Sequence, residues 1–316
     1  MKPNNMPSSR LTIWLTAIRP FAYTGSTSAV AVGLALAAFS GHKVDWGLAA
    51  LTLLGVLCFH TGANLLNDCF DHARGLDTEV LPTSGAVVRG WLTERQVHRA
   101  ALGFLALGSL CGLALVGAAG LPVLWFGILG TFVAVGYTRR GLCLKYAGLG
   151  DVAIFLAFGV LPVCGTYWVQ TQTFSWLPLL WSLPVVSFTV GILHANNWRD
   201  LGRDGEHGCR TVARRLGERG SAVYYASLVL GPYILVCLYA LIALVSGTSH
   251  LAPPTVALVL LVLPLSLKLA KVRRDVDRDT FEMLDARTAQ LQLAFGTLLT
   301  LAFIVGTRLS QGGGHV

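Results

Sequence analysis

Apolar residues run through this chain in blocks too long for the alternation of a strand or the stripe of a surface helix. Nine windows, near 20–40, 47–66, 100–119, 121–138, 149–170, 175–195, 221–246, 252–269 and 289–308, are almost free of charge. A helix needs about 20 such residues to cross a hydrocarbon core about 30 Å thick. The pattern therefore predicts an all-α polytopic membrane protein of about nine transmembrane helices, separated by polar loops.

Composition agrees and excludes an ordinary soluble globule. Only 13% of residues are charged and the mean hydropathy is +0.62, whereas soluble domains carry roughly a quarter charged residues. The opening MKPNNMPSSR lacks a basic-then-apolar segment ending in a small-residue cleavage site, so the first span is expected to be retained. The seven cysteines form no CxxC pair or metal-ligand spacing and read as small apolar residues. Cys69 and Cys209 fall inside polar motifs but are read as bystanders.

The net charge of +8 is distributed unevenly. With nine spans, 22 of the 24 Lys and Arg residues fall on the side of the N-terminus, leaving Lys43 and Arg308 opposite. Retention of basic residues in the cytoplasm puts the N-terminus and all four long polar loops inside. These charges flank membrane spans and lack the aromatic interleaving of a nucleic-acid stacking surface. Membrane lipids with anionic headgroups and an anionic substrate are the expected partners, with no nucleic acid.

Two acidic clusters resist a bland reading. The first closes the second span: Asn64, Asn67, Asp68, Asp71, Arg74, Gly75 and Asp77. On a helix, Asn64, Asp68 and Asp71 lie at i, i+4 and i+7, and Asn67 with Asp71 at i, i+4, so amides and carboxylates share a face. The second closes the sixth span: Asn196, Asn197, Arg199, Asp200, Arg203 and Asp204, with the two aspartates one turn apart. Carboxylates so close repel one another and are costly near hydrocarbon. One DxxxD alone would ordinarily be a solvated, arginine-paired helix end. Two such clusters, each preceded by Asn at the end of an apolar span and both on one membrane side, point to a joint site. Oxygen ligands without a suitable His or Cys set favour a hard divalent cation, Mg²⁺, over zinc. With the arginines and Lys145 as a basic rim, the set describes a diphosphate site. His60 and His194 read as hydrogen-bonded helix residues, and the run from Arg273 to Asp279 as a solvated, charge-paired loop.

At these residues the chain resembles the UbiA superfamily of intramembrane prenyltransferases. That family carries an NxxxD-type motif after its second helix and DxxxD after its sixth, here Asn67 to Asp71 and Asp200 to Asp204. The resemblance is closer to the 1,4-dihydroxy-2-naphthoate polyprenyltransferase branch and its animal vitamin K relatives. That branch extends the first motif to N-L-x-N-D-x-x-D-x-x-x-G-x-D, matched from Asn64 to Asp77. Gly85 to Gly90, Tyr137 with Thr138, Lys145 with Tyr146, and Gly148 to Asp151 are also similar. The Asp71 to Asp77 spacing is longer than the DxxxD of ubiquinone-type members and argues against a 4-hydroxybenzoate substrate.

The resemblance implies one prenyltransferase domain over 19–308, with helices around a central cavity open to the cytoplasm. An N-terminal cytoplasmic segment, 1–18, would precede it and a disordered tail, 309–316, would follow. It implies that Asp71, Asp200, Asp204 and Lys145 serve catalysis, and that Asp68, Asp71, Asp77, Asp200 and Asp204 form the metal site for the Mg²⁺ cofactor. Asn64, Asn67, Tyr137, Arg139, Arg140, Asp151, Asn197 and Arg199 would bind substrate, with Arg19 either near the aromatic substrate or anchoring the first helix. The implied reaction moves a prenyl group from polyprenyl diphosphate to 1,4-dihydroxy-2-naphthoate with loss of CO₂, giving a demethylmenaquinol in menaquinone biosynthesis. The expected location is a bacterial-type plasma membrane. Homogentisate, another quinol precursor or a lipid remains an alternative acceptor. A secondary transporter with acidic ion sites is the alternative of another class.

The topology is directly testable. Reporters fused near Arg89, Arg140, Arg215 and Arg274 should report cytoplasm, and one near Lys43 or Ser249 the opposite side. A cytoplasmic signal at Ser249 would break the nine-span arrangement.

Overall fold

The structure, a computed structural model, describes residues 9–73, 75, 80, 85–137, 144–145, 147–202 and 210–312. Among these every regular element is helical. Helix α1 (Arg10–Ile18) and a short 3₁₀ turn at Pro20–Ala22 lead into α2 (Tyr23–Phe39). There follow α3 (Trp46–Ala73), α4 (Glu94–Ala119), α5 (Leu121–Gly136) and α6 (Gly150–Thr171). The C-terminal half contains α7 (Leu177–Arg199), α8 (Val212–Ser246), α9 (Pro254–Ala270), the short α10 (Arg278–Glu282) and α11 (Leu284–Gly312).

Seven helical segments are long and apolar enough to cross a membrane, with α1 and α2 counted as one. Helices α5 and α9 are shorter apolar helices. The protein is therefore an integral membrane protein with multiple spans. Two features differ from the expected boundaries. Helix α1, inside the segment expected to precede the domain, buries Ile13 and Ala17 in the same cluster as Leu65 and Leu66 of α3. Helix α11 runs to Gly312, through the start of the expected tail.

Local chemistry sets several boundaries. Helix α4 begins at a capping box, in which Thr93 Oγ1 accepts from Gln96 N and Thr93 N donates to Gln96 Oε1. Helix α8 is interrupted near its start by Gly217, at φ 65° and ψ −174°, a conformation that favours glycine. Asp277 caps α10, and hydrogen bonds from Thr280 hold its exposed carboxyl below the usual carboxylate range. The Arg273 to Asp279 loop does more than pair charges. Arg274 donates to the carbonyls of Trp198 and Arg199 at the C-terminal end of α7 and pairs with Glu218 at 2.9 Å. That is a favourable place for a cation.

Two packed clusters flank the centre. The larger joins α2, α7, α8, α9 and α11 through Trp181, Phe188, Trp198, Tyr225, Phe295 and Phe303, all essentially inaccessible. The smaller joins α1, α3, α4 and the segment around Ala86 and Val87. Leu110, Trp125, Ile234 and Leu244 stay exposed on the outside, as expected where lipid is the solvent. Helix α6 lies near the centre and carries a π-helical segment, Leu156–Val160. Its Gly159 sits so close to Val186 of α7 that a Cβ would come within 2.0 Å, so this π turn is clamped against α7.

Candidate active site

The polar residues converge at one end of the bundle. Asp68 and Asp71, in the last turns of α3, are 3% and 2% exposed. Burial of two carboxylates demands compensation. Arg19 Nη2 donates to Asp68 Oδ1 at 2.5 Å, and Lys145 Nζ to Asp71 Oδ2 at 2.7 Å. Arg19 reaches Asp68 from the junction of α1 with the 3₁₀ turn, in a left-handed conformation at φ 52°. Such backbone costs on the order of 1–3 kcal/mol in a residue other than glycine and concentrates at functional sites. Lys145 is presented by a segment folded back on α5, where Leu144 N and Lys145 N donate to the carbonyls of Gly136 and Tyr137. Gly85 closes the far side of Asp68, where a Cβ would come within 1.6 Å of Oδ2. Only glycine fits beside that carboxylate.

Helix α7 presents a matching arrangement. Asn196 and Asp200 are one turn apart at its C-terminal end, as Asn67 and Asp71 are on α3. Asn64, Asn67 and Asn196 line one chamber together with Arg19, Tyr137 and Asp285. Asn67 Oδ1 and Asn64 Nδ2 are buried without a hydrogen-bond partner among the described residues. An unpartnered acceptor one turn from the Asp71 carboxylate suits a cation, and an unpartnered donor suits an anionic or hydroxylated substrate. A second chamber lies among α3, α4, α5 and α6 and is mostly apolar. His60, Ala63, Ala134 and Phe158 line both, so the chambers adjoin at these residues, the neck of the site.

The other expected site residues are placed variously. Arg199 bonds Asp285 Oδ2 and Glu282 O, each at 3.0 Å, and contacts Asn196 Oδ1, with Asp200 at 3.6 Å, and so stands behind two residues of the chamber wall. It joins α7 to α10 and α11. Asn197 is buried outside the chamber wall, whose place is taken by Asn196. Asp151, at the start of α6, accepts from Tyr224 Oη at 3.0 Å and lines neither chamber. His194 is buried edge-on to Tyr224. Asp77, Arg139, Arg140 and Asp204 lie outside the described residues. Among the described residues no three His, Cys, Asp or Glu side chains gather as a metal-binding group.

Asp285 is the residue that sequence reasoning missed. It lies in the first turn of α11, 3% exposed, on a buried stripe with Thr288 and Gln292. Thr288 bonds Tyr225, and Gln292 Nε2 donates to Val185 O and Thr189 Oγ1. The spacing i, i+3, i+7 of polar residues opening an apolar span is a legible signal for an inward face.

Fold and site together define a helical membrane protein with a polar chamber beside an apolar one. The chain belongs to the UbiA prenyltransferase family, which it matches over residues 26–307, and is thus a prenyltransferase. It is similar to the UbiA prenyltransferase domain-containing protein 1 of Mus musculus, 32% identical, covering 95% of this chain and 85% of that one. It is also similar to the 1,4-dihydroxy-2-naphthoate octaprenyltransferase of Escherichia coli, 32% identical, covering 96% and 97%. The fold resembles that of a UbiA homologue from Aeropyrum pernix at TM-score 0.62 and 17% identity, covering 91% and 98%. One from Archaeoglobus fulgidus, bound to DMAPP and Mg²⁺, matches at 0.57 and 16%, covering 92% and 99%.

The Arg199–Asp285 pair is a structural tie whose strength can be measured. Arg199→Met leaves Asp285 buried and uncompensated, and should lower stability in detergent by about 3–5 kcal/mol. Adding Asp285→Leu should restore part of that loss. Thermal unfolding of both single variants and the pair checks this, and a double variant no more stable than Arg199→Met would contradict it.

Proposed function

We propose that this protein transfers a polyprenyl group from polyprenyl diphosphate to 1,4-dihydroxy-2-naphthoate, with loss of CO₂, at a Mg²⁺-dependent site on the cytoplasmic face of a bacterial-type plasma membrane. The observation that carries the reading is the adjacency of the two chambers: a polar one lined by Asn64, Asn67, Asn196 and Arg19 adjoins an apolar one across shared wall residues. A prenyl diphosphate has that polarity along its length. The E. coli relative named for the naphthoate acceptor supports the choice of acceptor, as does the long first motif. The distribution of 22 basic residues to one side supports the orientation.

In this reading Asn67, Asp71 and Asp200 hold Mg²⁺ with the help of Asp77 and Asp204, and Asp68 is kept in place by Arg19. Mg²⁺ bound there supplies positive charge toward the departing diphosphate. Lys145, Arg139 and Arg140 add cationic contacts to phosphate oxygens. Asn64 and Tyr137 line the chamber wall. The apolar chamber takes the prenyl tail and keeps water from the allylic carbon.

Two measurements test the reading. Detergent-purified protein given Mg²⁺, labelled prenyl diphosphates and a panel of naphthoate, homogentisate and 4-hydroxybenzoate acceptors should prenylate the naphthoate preferentially. Activity should vanish in EDTA and return with Mg²⁺ but not require Zn²⁺. Preference for another acceptor would replace the naphthoate, and full activity in chelator would end the metal assignment. The tail chamber is tested at Gly112 of α4 and Gly130 of α5, which line it and where a Cβ would meet no atom within 4 Å. Leucine at either position has open space at its Cβ and is the better helix former. It should shift preference toward shorter prenyl diphosphates at unchanged stability, and unaltered chain-length preference would place the tail elsewhere.

A further inference from the structure

One polar side chain at the neck has no role in the site so far described. His60 lies on the same stripe of α3 as Asn64, Asn67 and Asp71, at i, i+4, i+7 and i+11. It sits about 16 Å deeper along the helix axis than Asp71, at 1.5 Å per residue. Its side chain is enclosed, 6% exposed, with its ring edge-on to Tyr23 at 5.2 Å and to Phe158 at 4.5 Å. Nδ1 is 2.6 Å from Ser26 Oγ of α2. Tyr23 is itself fixed. Thr61 Oγ1 donates to Leu57 O at 2.7 Å, so the Tyr23 hydroxyl donates to Thr61 at 2.5 Å.

Nε2 is different. It makes no hydrogen bond among the described residues and is not sealed off, in contrast to the buried unpartnered atoms of Asn64 and Asn67. His60 lines both chambers, so this nitrogen is open to the cavity at the neck. A ring locked by Ser26 on one nitrogen and open on the other is the arrangement of an oriented imidazole. The neck is also where an allylic carbon would lie, between a diphosphate in the polar chamber and a tail in the apolar one.

Resting on the proposed function, we infer that His60 Nε2 takes the proton from a ring hydroxyl of the aromatic acceptor, with Ser26 as the residue that positions it. The hydroxyl proton passes to Nε2 and leaves a phenolate-type oxygen that enriches the ring carbon. That carbon bonds to C1 of the prenyl chain as the C1–O bond breaks, and the diphosphate departs with the electron pair. The substituted ring carbon then releases CO₂ from a carboxylate, or a proton to solvent where it carried hydrogen. The imidazolium returns its proton to the ring oxygen, so no further reagent is required.

The test compares His60→Gln and Ser26→Ala with the unaltered protein in turnover, prenyl diphosphate affinity and thermal stability. His60→Gln should lower kcat for acceptor prenylation by at least about a hundredfold. Its Kd for prenyl diphosphate should stay within about threefold, because the loss lies in a later step. Ser26→Ala should lower kcat less, with acceptor KM changed little, since it removes only orientation. Unchanged turnover in His60→Gln would overturn this inference alone, and so would parallel loss of affinity, stability and turnover. Failure of the unaltered protein to prenylate any hydroxylated aromatic acceptor would overturn the proposed function and this inference together.

Discussion

An ionised carboxylate surrounded by protein and lipid must meet a positive charge, and that constraint organises this molecule. Asp68, Asp71 and Asp285 are all nearly inaccessible, and each is answered by a cation from a different stretch of chain: Arg19, Lys145 and Arg199. The ion pairs tie α3 to the junction of α1 with the 3₁₀ turn, α3 to the segment before α6, and α7 to α11. Hydrocarbon gives no hydrophobic drive for helices to associate with one another, so polar contacts carry more of the specification than in water. The left-handed Arg19 shows what the arrangement costs. A backbone strain on the order of 1–3 kcal/mol is accepted there to bring a guanidinium onto a buried carboxylate.

From that polar end the structure grades into an apolar interior. Asn64 and Asn67 mark the transition on α3, Asn196 on α7, and His60 the neck below them. The π turn of α6, held against α7 by the absence of a side chain at Gly159, sets Phe158 at that neck. The same helix face thus carries the expected metal-side acid, two amides and an imidazole in order of depth. A substrate with an anionic head and a hydrocarbon tail would be read along that face.

Much of this was legible in the sequence, for identifiable reasons. Hydropathy marks spans because the bilayer thickness fixes helix length, and the NxxxD and DxxxD spacings put polar residues on shared faces because helical periodicity is rigid. The pairing of Lys145 with Asp71 lies 74 residues apart and was anticipated only as a basic rim. Arg199 was expected at the substrate and instead holds Asp285, because nothing local in NNWRD tells which side of α7 meets α11. Asn196 lines the chamber, where Asn197 was expected, for the same reason: adjacent residues on a helix point about 100° apart, and the rotation of α7 is set by tertiary packing. Asp285 escaped notice because one acid at a helix start ordinarily reads as a dipole-stabilised terminus.

The central claim is that α3 and α7 contribute to one metal-diphosphate assembly, and turnover of Asp71→Asn, Asp200→Asn and the double variant tests it most directly. Each change removes a charge at nearly constant shape, so each single variant should lose at least about a hundredfold in rate. The double variant should lose far less than the product of the two, since groups acting as a unit are strongly non-additive, and the rate loss should persist in protein shown to be folded, even where unpairing Lys145 in Asp71→Asn lowers thermal stability in detergent. Near-normal turnover in either single variant, or independent multiplicative losses in the pair, would contradict the shared site.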